Sequence, residues 1–371
     1  MNIGITCYPS IGGSGILASA LGEELAARGH EVHFISYGRP FRLPEDAPRI
    51  HFHAVEVNAY DLFKYPDYTL PLSVKMAEVA AEFSLDVLHV HYAVPHATAA
   101  ILARAMLPAD NRLKVVATLH GTDTTLLGKD PGYGPAIRHA LTQSDAVTAV
   151  SAFLRDETVR LMGVTRPIDV IPNFFTPKVP RRSRAEVRAK LGVADDECLI
   201  LHLSNVRRVK RIDLLLAAAA RVRPHGAWKL VILAGGDFSP YLAQVKCHGL
   251  EDRVVVCERV AEVEDYLNAA DLGLFSSESE SFCLGVLETM CFGVPSVSTA
   301  VGGVPEVIED GVTGRLAPFG DVDALAEAVR ELVRDAPRRV AMGEAARRRA
   351  AERFSTEVVV SAYEDLYRRV Q

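Results

Sequence analysis

The stretch DLGLFSSESESFCLGVLETMCFGVPSVSTA, residues 271–300, decides how the rest of the chain is read. Its two apolar runs, DLGLFSS (271–277) and VPSVSTA (294–300), have the length and composition of buried strands. Between them comes a turn of serines and glutamates. A helix carrying Glu288 in its first half is then expected to start near Phe282–Leu284. Strand, helix, strand is the unit from which parallel sheets are built, because a parallel neighbour needs a crossover connection. Glu278 and Glu280 fall in the turn at the carboxyl end of the first strand, and Cys283 and Leu284 supply amides at the helix start.

The same unit recurs outward in both directions. Strands are expected at NIGITCY (2–8), EVHFISY (31–37), DVLHVHYA (86–93), KVVATLH (114–120) and DAVTAV (145–150). A second series follows at CLILHLSN (198–205), WKLVILAG (228–235) and RVVVCER (253–259). Leu17, Leu21 and Leu25 recur at helical spacing before Gly29, and Ser151 is placed to cap the helix AFLRDETVRLMG. The helical pattern RIDLLLAAAARVRP (211–224) follows a strand, and further helices end the chain, the last near 356–370. The segment TPKVPRRSR (176–184), rich in proline and basic residues, reads as a boundary. The fold class expected is α/β, with two doubly wound Rossmann-like domains, 1–175 and 176–355. Ligands of such sheets collect beyond the carboxyl ends of the strands, so two facing domains are expected to enclose an inter-domain cleft.

Bulk properties exclude several classes. The chain has 371 residues, 49% apolar and 24% charged, and a net charge of −6, which disfavours a broad nucleic-acid face. No segment has ~18 uninterrupted apolar residues, and the N-terminus MNIGITCYPS reads as a first strand and not as a signal peptide. The segment YDLFKYPDYTLPL (60–72) holds aromatics but one lysine, too few cations for an anionic membrane face. The six cysteines form no CxxC pair and fit buried free thiols in the cytoplasm.

Chemistry-bearing residues gather at the expected strand ends. After the first strand, Gly12, Gly13 and Gly15 allow close backbone approach, and Ser14 can cap the helix or donate a hydrogen bond. This spacing is not G-x-G-x-x-G, and no acidic residue ends the second strand, which argues against a dinucleotide site. Thr118, His120, Gly121, Thr122 and Asp123 end another strand; His89 and His91 share a face of the strand before it, near Tyr92 and His96. In SNVRRVKRID, Arg207, Arg208, Lys210 and Arg211 precede a helix whose dipole they oppose, so an anion to anchor gives them a reason. AGGD (234–237) adds a second glycine turn. Around 280–288 a ligand would meet a carboxylate, amide donors and a second carboxylate. A sugar nucleotide has that layout, and two unrelated surface glutamates would give the same pattern.

Taken together these residues resemble the retaining GT-B glycosyltransferases of the GT4 type. The resemblance rests on the E-x7-E pattern Glu280-SFCLGVL-Glu288 and the M-x-x-G-x-P run from Met290 to Pro295. The N-terminal Gly-Gly turn, His120 in HGTD, Pro172-Asn173, Lys210 and GGVPEVI (302–308) follow the family order along nearly the whole chain. It implies that Glu280 holds the donor sugar, Glu288 the ribose and Lys210 the departing diphosphate. Backbone around Gly13, Phe282, Cys283 and Leu284 assists, and His120 contacts the sugar. The family places an arginine five residues before the lysine. Asn205 stands there instead, so Arg207 or Arg208 is expected to supply the charge.

GGSG, LHVHYAVPHA, TLHGTD and SNVRRVKR resemble the bacillithiol-pathway branch of that family, which implies UDP-N-acetylglucosamine (UDP-GlcNAc) as donor and L-malate as acceptor. Ser14, Tyr92, Thr118 and His120 are then the candidate acceptor contacts, with the cation for the acceptor carboxylates unassigned. No Asp-x-Asp pair follows a strand in the donor half, so no metal and no cofactor is expected. By the same resemblance the terminal helix (356–371) packs back on the first domain. The alternatives are another acceptor (an inositol phosphate or a lipid-linked sugar), a GT-B epimerase acting on UDP-GlcNAc, and a non-catalytic sugar-nucleotide sensor. Oligomeric state, a homo-oligomer included, is left open.

Overall fold

Seven strands make the first sheet: β1 (Asn2–Thr6), β2 (Glu31–Ser36), β3 (Ile50–Ala54), β4 (Val87–His91), β5 (Lys114–Leu119), β6 (Ala146–Ala149) and β7 (Ile168–Val170). Six make the second: β8 (Cys198–Ser204), β9 (Trp228–Ala234), β10 (Val254–Glu258), β11 (Leu272–Phe275), β12 (Ser296–Thr299) and β13 (Gly314–Ala317). The structure, a computed structural model, describes the chain apart from residues 10–12, 41–42, 44–46 and 58–66. Gly12 of the glycine turn and much of the aromatic segment at 60–72 therefore lie outside the described residues. The chain divides into two units, Met1–Asn173 with Thr356–Gln371, and Phe174–Ser355.

Every pairing in both sheets is parallel. The first sheet runs β3-β2-β1-β4-β5-β6-β7 and the second β10-β9-β8-β11-β12-β13. Each begins at a central strand, winds outward, then returns to the other side of that strand. This reversal makes a topological switch point between β1 and β4 and another between β8 and β11, where ligands of doubly wound sheets bind.

The strands are apolar because helices cover both sheet faces. In the second unit Ile200, Leu230 and Ile232 belong to one core cluster and their neighbours Leu199, Leu201, Val231 and Leu233 to the other, a clean period of two. Trp228 is fully buried, and its indole N–H donates to the Val222 carbonyl at 3.3 Å.

Three strands escape the sequence reading. β3, IHFHA, has no buried residue; β7 has only three residues; β13, GRLA, carries a glycine and an arginine. These are edge strands or short ones, and they lack the apolar run that marks a central strand. Ser151 caps its helix as expected, accepting from the Leu154 amide at 3.1 Å. Ser14 does not cap: Gly13 holds the N-cap position and Ser14 is the first residue of the helix Ser14–Ala27. Of the cysteines, all free, Cys7, Cys198 and Cys283 are buried while Cys247 is exposed.

The last helix, Thr356–Val370, belongs to the first unit. Arg28 donates to Glu364 at 2.9 Å and to Glu357 at 2.6 Å, and Tyr363 and Tyr367 are buried. Among the described residues no helix is long and apolar enough to cross a membrane.

Candidate active site

In the second unit the switch point brings together two loops that lie far apart in sequence. After β8 the chain passes Asn205, makes a short 3-10 turn at Arg208–Lys210, and enters the helix Ile212–Val222 through Arg211 at φ 48°. After β11, Ser276 donates to the carbonyls of Lys210 (3.0 Å) and Arg211 (2.9 Å), and the Glu278 amide donates to the Val209 carbonyl at 2.8 Å. These bonds fix the two loops against each other.

The consequence is an ion pair. Lys210 Nζ donates to Glu280 Oε1 at 2.6 Å, and Ser277 Oγ donates to the same oxygen at 2.7 Å. The Glu280 carbonyl accepts from the Gly303 amide at 3.0 Å, and Thr299 Oγ1 donates to the Ser277 carbonyl at 2.6 Å. Gly303 of GGVPEVI, with Thr299, thus braces the acidic turn. Burial pulls the Lys210 pKa down, but the Glu280 carboxylate outweighs it and holds the ammonium above its ordinary value. The Arg207 charge also acts on Lys210, from an exposed position. Arg208 instead lines a polar cavity of about 460 Å³ with Arg211, Asp213, Tyr241, Gln244 and Glu278.

The helix Leu284–Cys291 starts immediately after this turn, from Cys283 at φ 75°. Its first amides have no intrahelical acceptor, and the helix dipole adds positive potential there. Gly285 lets it sit close: a Cβ at that position would lie 2.7 Å from the Phe275 ring and 3.2 Å from the Leu203 carbonyl. Glu288 lies one turn in and is partly buried. Burial, then the charge of Glu280, push the Cys283 thiol up; Glu288 adds to this and Lys210 opposes it. Glu280, Lys210 and Glu288 thus all act on Cys283, the residue from which the helix starts. The Phe282 ring is buried against Phe354, centroids 5.5 Å apart, which leaves its backbone at the helix start. Asn205 packs so closely on Gly235 that any side chain at Gly235 would collide with its Oδ1.

In the first unit the switch point carries hydroxyls and imidazoles. Gly13 has φ 57° and ψ −126°, a conformation glycine adopts readily. Ser14 Oγ donates to Tyr92 OH at 3.0 Å. The Tyr92 ring packs on Tyr8 and His120, with centroids 5.6 and 5.1 Å apart. His91 Nδ1 and His120 Nε2 share a hydrogen bond of 2.9 Å. Asp123 is buried and accepts from the amides of Ala93 and Gly121, both at 3.0 Å, so the aspartate of HGTD holds the loop. Burial lowers His120 to about 3 and His96 to about 4, and drives His91 well below 6.5. These imidazoles are neutral, and none supplies a cation for a carboxylate ligand.

Thr118, expected to contact the acceptor, does not face a ligand. It is fully buried, and its hydroxyl is taken by His89 Nε2 (2.7 Å), Thr148 Oγ1 (2.6 Å) and Tyr363 OH (3.4 Å). One donor and two lone pairs are then all engaged, and none remains for an acceptor substrate. Ser277, Gly303, His91 and Asp123 were not assigned roles from sequence. Their functions arise from contacts the fold creates, and only their strand-end positions mark them.

Tyr92, Arg211 and Cys283 are three of the six described non-glycine residues with positive φ. Each costs about 1–3 kcal/mol, and all three lie in loops of the two switch points, as strain held at functional sites does.

Two parallel doubly wound units, one with an anion-ready helix start beside a lysine–carboxylate pair, define the GT-B class of glycosyltransferase. The family described as Glycosyltransferase Family 4 matches residues 11–179, and Glycosyl transferases group 1 matches residues 183–349. N-acetyl-alpha-D-glucosaminyl L-malate synthase of Bacillus anthracis is 45% identical over 369 residues, 99% of this chain and 96% of that protein. The chain belongs to the GT4-type glycosyltransferases. D-inositol 3-phosphate glycosyltransferase of Thermobifida fusca is 27% identical, over 90% of this chain and 83% of that protein. Among solved structures, sucrose-phosphate synthase from Thermosynechococcus elongatus matches with TM-score 0.84 at 23% identity, over 100% of this chain and 99% of that one. Anabaena HepE in complex with UDP-glucose matches with TM-score 0.82 at 21% identity, over 99% of each chain.

Proposed function

We propose that the protein is a retaining glycosyltransferase that moves N-acetylglucosamine from UDP-GlcNAc to L-malate. The observation that carries the acceptor is the 45% identity, along 99% of the chain, to a synthase named for that product. The chemistry is carried by Lys210 paired to Glu280 at the start of the helix Leu284–Cys291.

The malate hydroxyl attacks the anomeric carbon on the face from which UDP leaves. The new C–O bond forms as the sugar–phosphate bond breaks, and the hydroxyl proton passes to an oxygen of the departing diphosphate. Lys210, Arg207 and the first-turn amides receive the diphosphate charge in place, without reorganisation. Of the two arginines left open by the sequence, Arg207 is favoured, because its charge reaches Lys210. Glu280 Oε1 is held by Lys210 and Ser277, which leaves Oε2 for the sugar hydroxyls. Glu288 takes the ribose diol, and His120 meets the sugar. Ser14 and Tyr92 offer hydroxyls to malate. Because fixed cations and amide dipoles supply the positive charge, the reaction is proposed to need no metal. The free cysteines fit a reducing cytoplasm.

The test is UDP release from UDP-GlcNAc with L-malate, D-malate, inositol 3-phosphate, a lipid-linked sugar or no acceptor, with product masses determined. L-malate is expected to be turned over fastest, giving a glycosylated product. Faster turnover of another acceptor, or a product of unchanged mass, would refute the assignment.

A further inference from the structure

Behind His120, in the first unit, runs a buried chain of rings and hydroxyls that ends on the chain's last helix. Tyr367 OH lies 2.7 Å from His89 Nδ1, and His89 Nε2 lies 2.7 Å from Thr118 Oγ1. His89 stacks on His91 with centroids 4.6 Å apart, and His91 Nδ1 meets His120 Nε2 at 2.9 Å. Tyr363 walls the other side of His89 at 5.1 Å. Tyr367, His89 and Thr118 are fully buried.

Proton accounting fixes the direction of these bonds. Burial lowers His89 to about 3, so it is neutral, with one ring N–H and one bare nitrogen. If the proton sat on Nδ1 it would donate to Tyr367, and the tyrosine's own buried proton would lack its acceptor. With the proton on Nε2, Tyr367 donates to Nδ1, Nε2–H donates to Thr118, and Thr118 donates to Thr148. The protons of Tyr367, His89 and Thr118 are then all placed, whereas the other tautomer leaves that of Tyr367 unmet, and an unmet buried donor costs about 1–3 kcal/mol.

His91 Nε2 is buried and has no partner. A bare nitrogen is tolerated there better than an orphaned N–H, so His91 carries its proton on Nδ1 and donates to His120 Nε2. His96 shows the same preference: its Nδ1 donates to the His91 carbonyl, and its Nε2 is also unpartnered. His120 must then be protonated on Nδ1, the nitrogen left for a ligand, and presents a hydrogen-bond donor suited to a sugar oxygen.

We propose that Tyr367, on the last helix, is a positioning residue for His120, acting through the His89 ring it orients and the His91 ring stacked on that. The inference rests on the reading above that His120 meets the donor sugar.

The test uses the full-length protein labelled with 15N-histidine, with ring signals assigned by single replacements. In the native protein His89 is expected as the Nε2–H tautomer and His120 as Nδ1–H. Finding His120 protonated on Nε2 overturns the proposal without any variant. In Tyr367→Phe, which keeps the ring, the His89 and His120 signals are expected to move. The kcat for transfer should fall roughly tenfold, while KM for the sugar nucleotide stays within about twofold, the pattern of a misplaced group. Tyr363→Phe, whose hydroxyl is not bonded to His89, should leave the His120 signals in place. Native kcat in Tyr367→Phe, or a fall in kcat with unmoved His120 signals, refutes the relay. If the native protein turns over no sugar nucleotide, the functional reading fails by itself, and the ring signals still decide whether the relay exists.

Discussion

Replacing Gly285 by alanine tests how closely the helix Leu284–Cys291 must sit on the strand ends. The added Cβ would lie 2.7 Å from Phe275 Cε1, 3.1 Å from Cζ and 3.2 Å from the Leu203 carbonyl oxygen. Ordinary carbon contact is about 3.5 Å, so the first gap falls short by roughly 0.8 Å. Phe275 is 2% exposed, and Leu203 lies within β8, hydrogen-bonded into the sheet, so neither neighbour yields easily. The helix start must lift instead. Alanine's helix propensity recovers at most about 1 kcal/mol. Overpacking of this kind costs about 1–3 kcal/mol, which leaves a net loss of up to about 2 kcal/mol and lowers Tm by up to roughly 8 °C.

The larger effect is on catalysis. Lifting the helix start by most of an ångström moves the amides that would receive the diphosphate, and a 1 Å misplacement is worth about 100-fold. Gly285→Ala should therefore lower kcat by about 10- to 100-fold in a UDP-release assay. KM for malate should be unchanged, because the residues assigned to malate lie in the first unit. Adding Phe275→Leu removes the ring edge and should restore part of the rate. The Leu203 contact remains, so rescue should be incomplete. Native Tm and native turnover in Gly285→Ala would show that this close approach has no bearing on the site.

Lys210→Ala should lower turnover roughly 100-fold or more, since it removes a preformed charge contact to the leaving group; near-native turnover in the folded variant excludes that role. Acid should destabilise the protein. Burial holds His33, His96 and His202 near 4 and His89 and His120 near 3, against about 6.5 unfolded, so their stabilisation is whole above pH 6.5 and is lost as pH falls. At pH 5 each accounts for up to about 2 kcal/mol, and a Tm unchanged between pH 7 and pH 5 contradicts the assignment.

The central strands were legible because burial on both faces writes them as apolar runs. β3 was not, since IHFHA alternates two histidines with three apolar residues at a sheet edge. The strand-end positions of Lys210 and Glu280 were legible as well, but their pairing was not. Seventy residues separate them, and only the return of β11 to the side of β8 joins their loops. Thr118 misled because a threonine near a strand end looks available. Two of its partners, His89 and Thr148, sit on the neighbouring strands, and the third, Tyr363, comes from a helix 245 residues away, which no local pattern reveals. Phe282 could be placed at the helix start from sequence, but the packing of its ring on Phe354, 72 residues on, could not.

The pairing of Lys210 with Glu280 also bears on why acidic residues surround a site meant for an anion. A half-buried lysine without a partner would tend to lose its proton, and Arg207 nearby adds to that tendency. Glu280, anchored by Ser277 and by its carbonyl bond from Gly303, keeps the ammonium charged and in place before any ligand arrives. An ammonium has three donors, and one on Glu280 leaves two for a phosphate. The carboxylate in turn keeps an oxygen for neutral hydroxyls, which do not compete for the lysine's charge. Glu280 thus allows Lys210 to be held charged in the empty protein, while the amide dipoles still favour an incoming diphosphate. On this argument the acidic pair and the lysine form one device, and neither carboxylate can be judged by its distance to substrate alone.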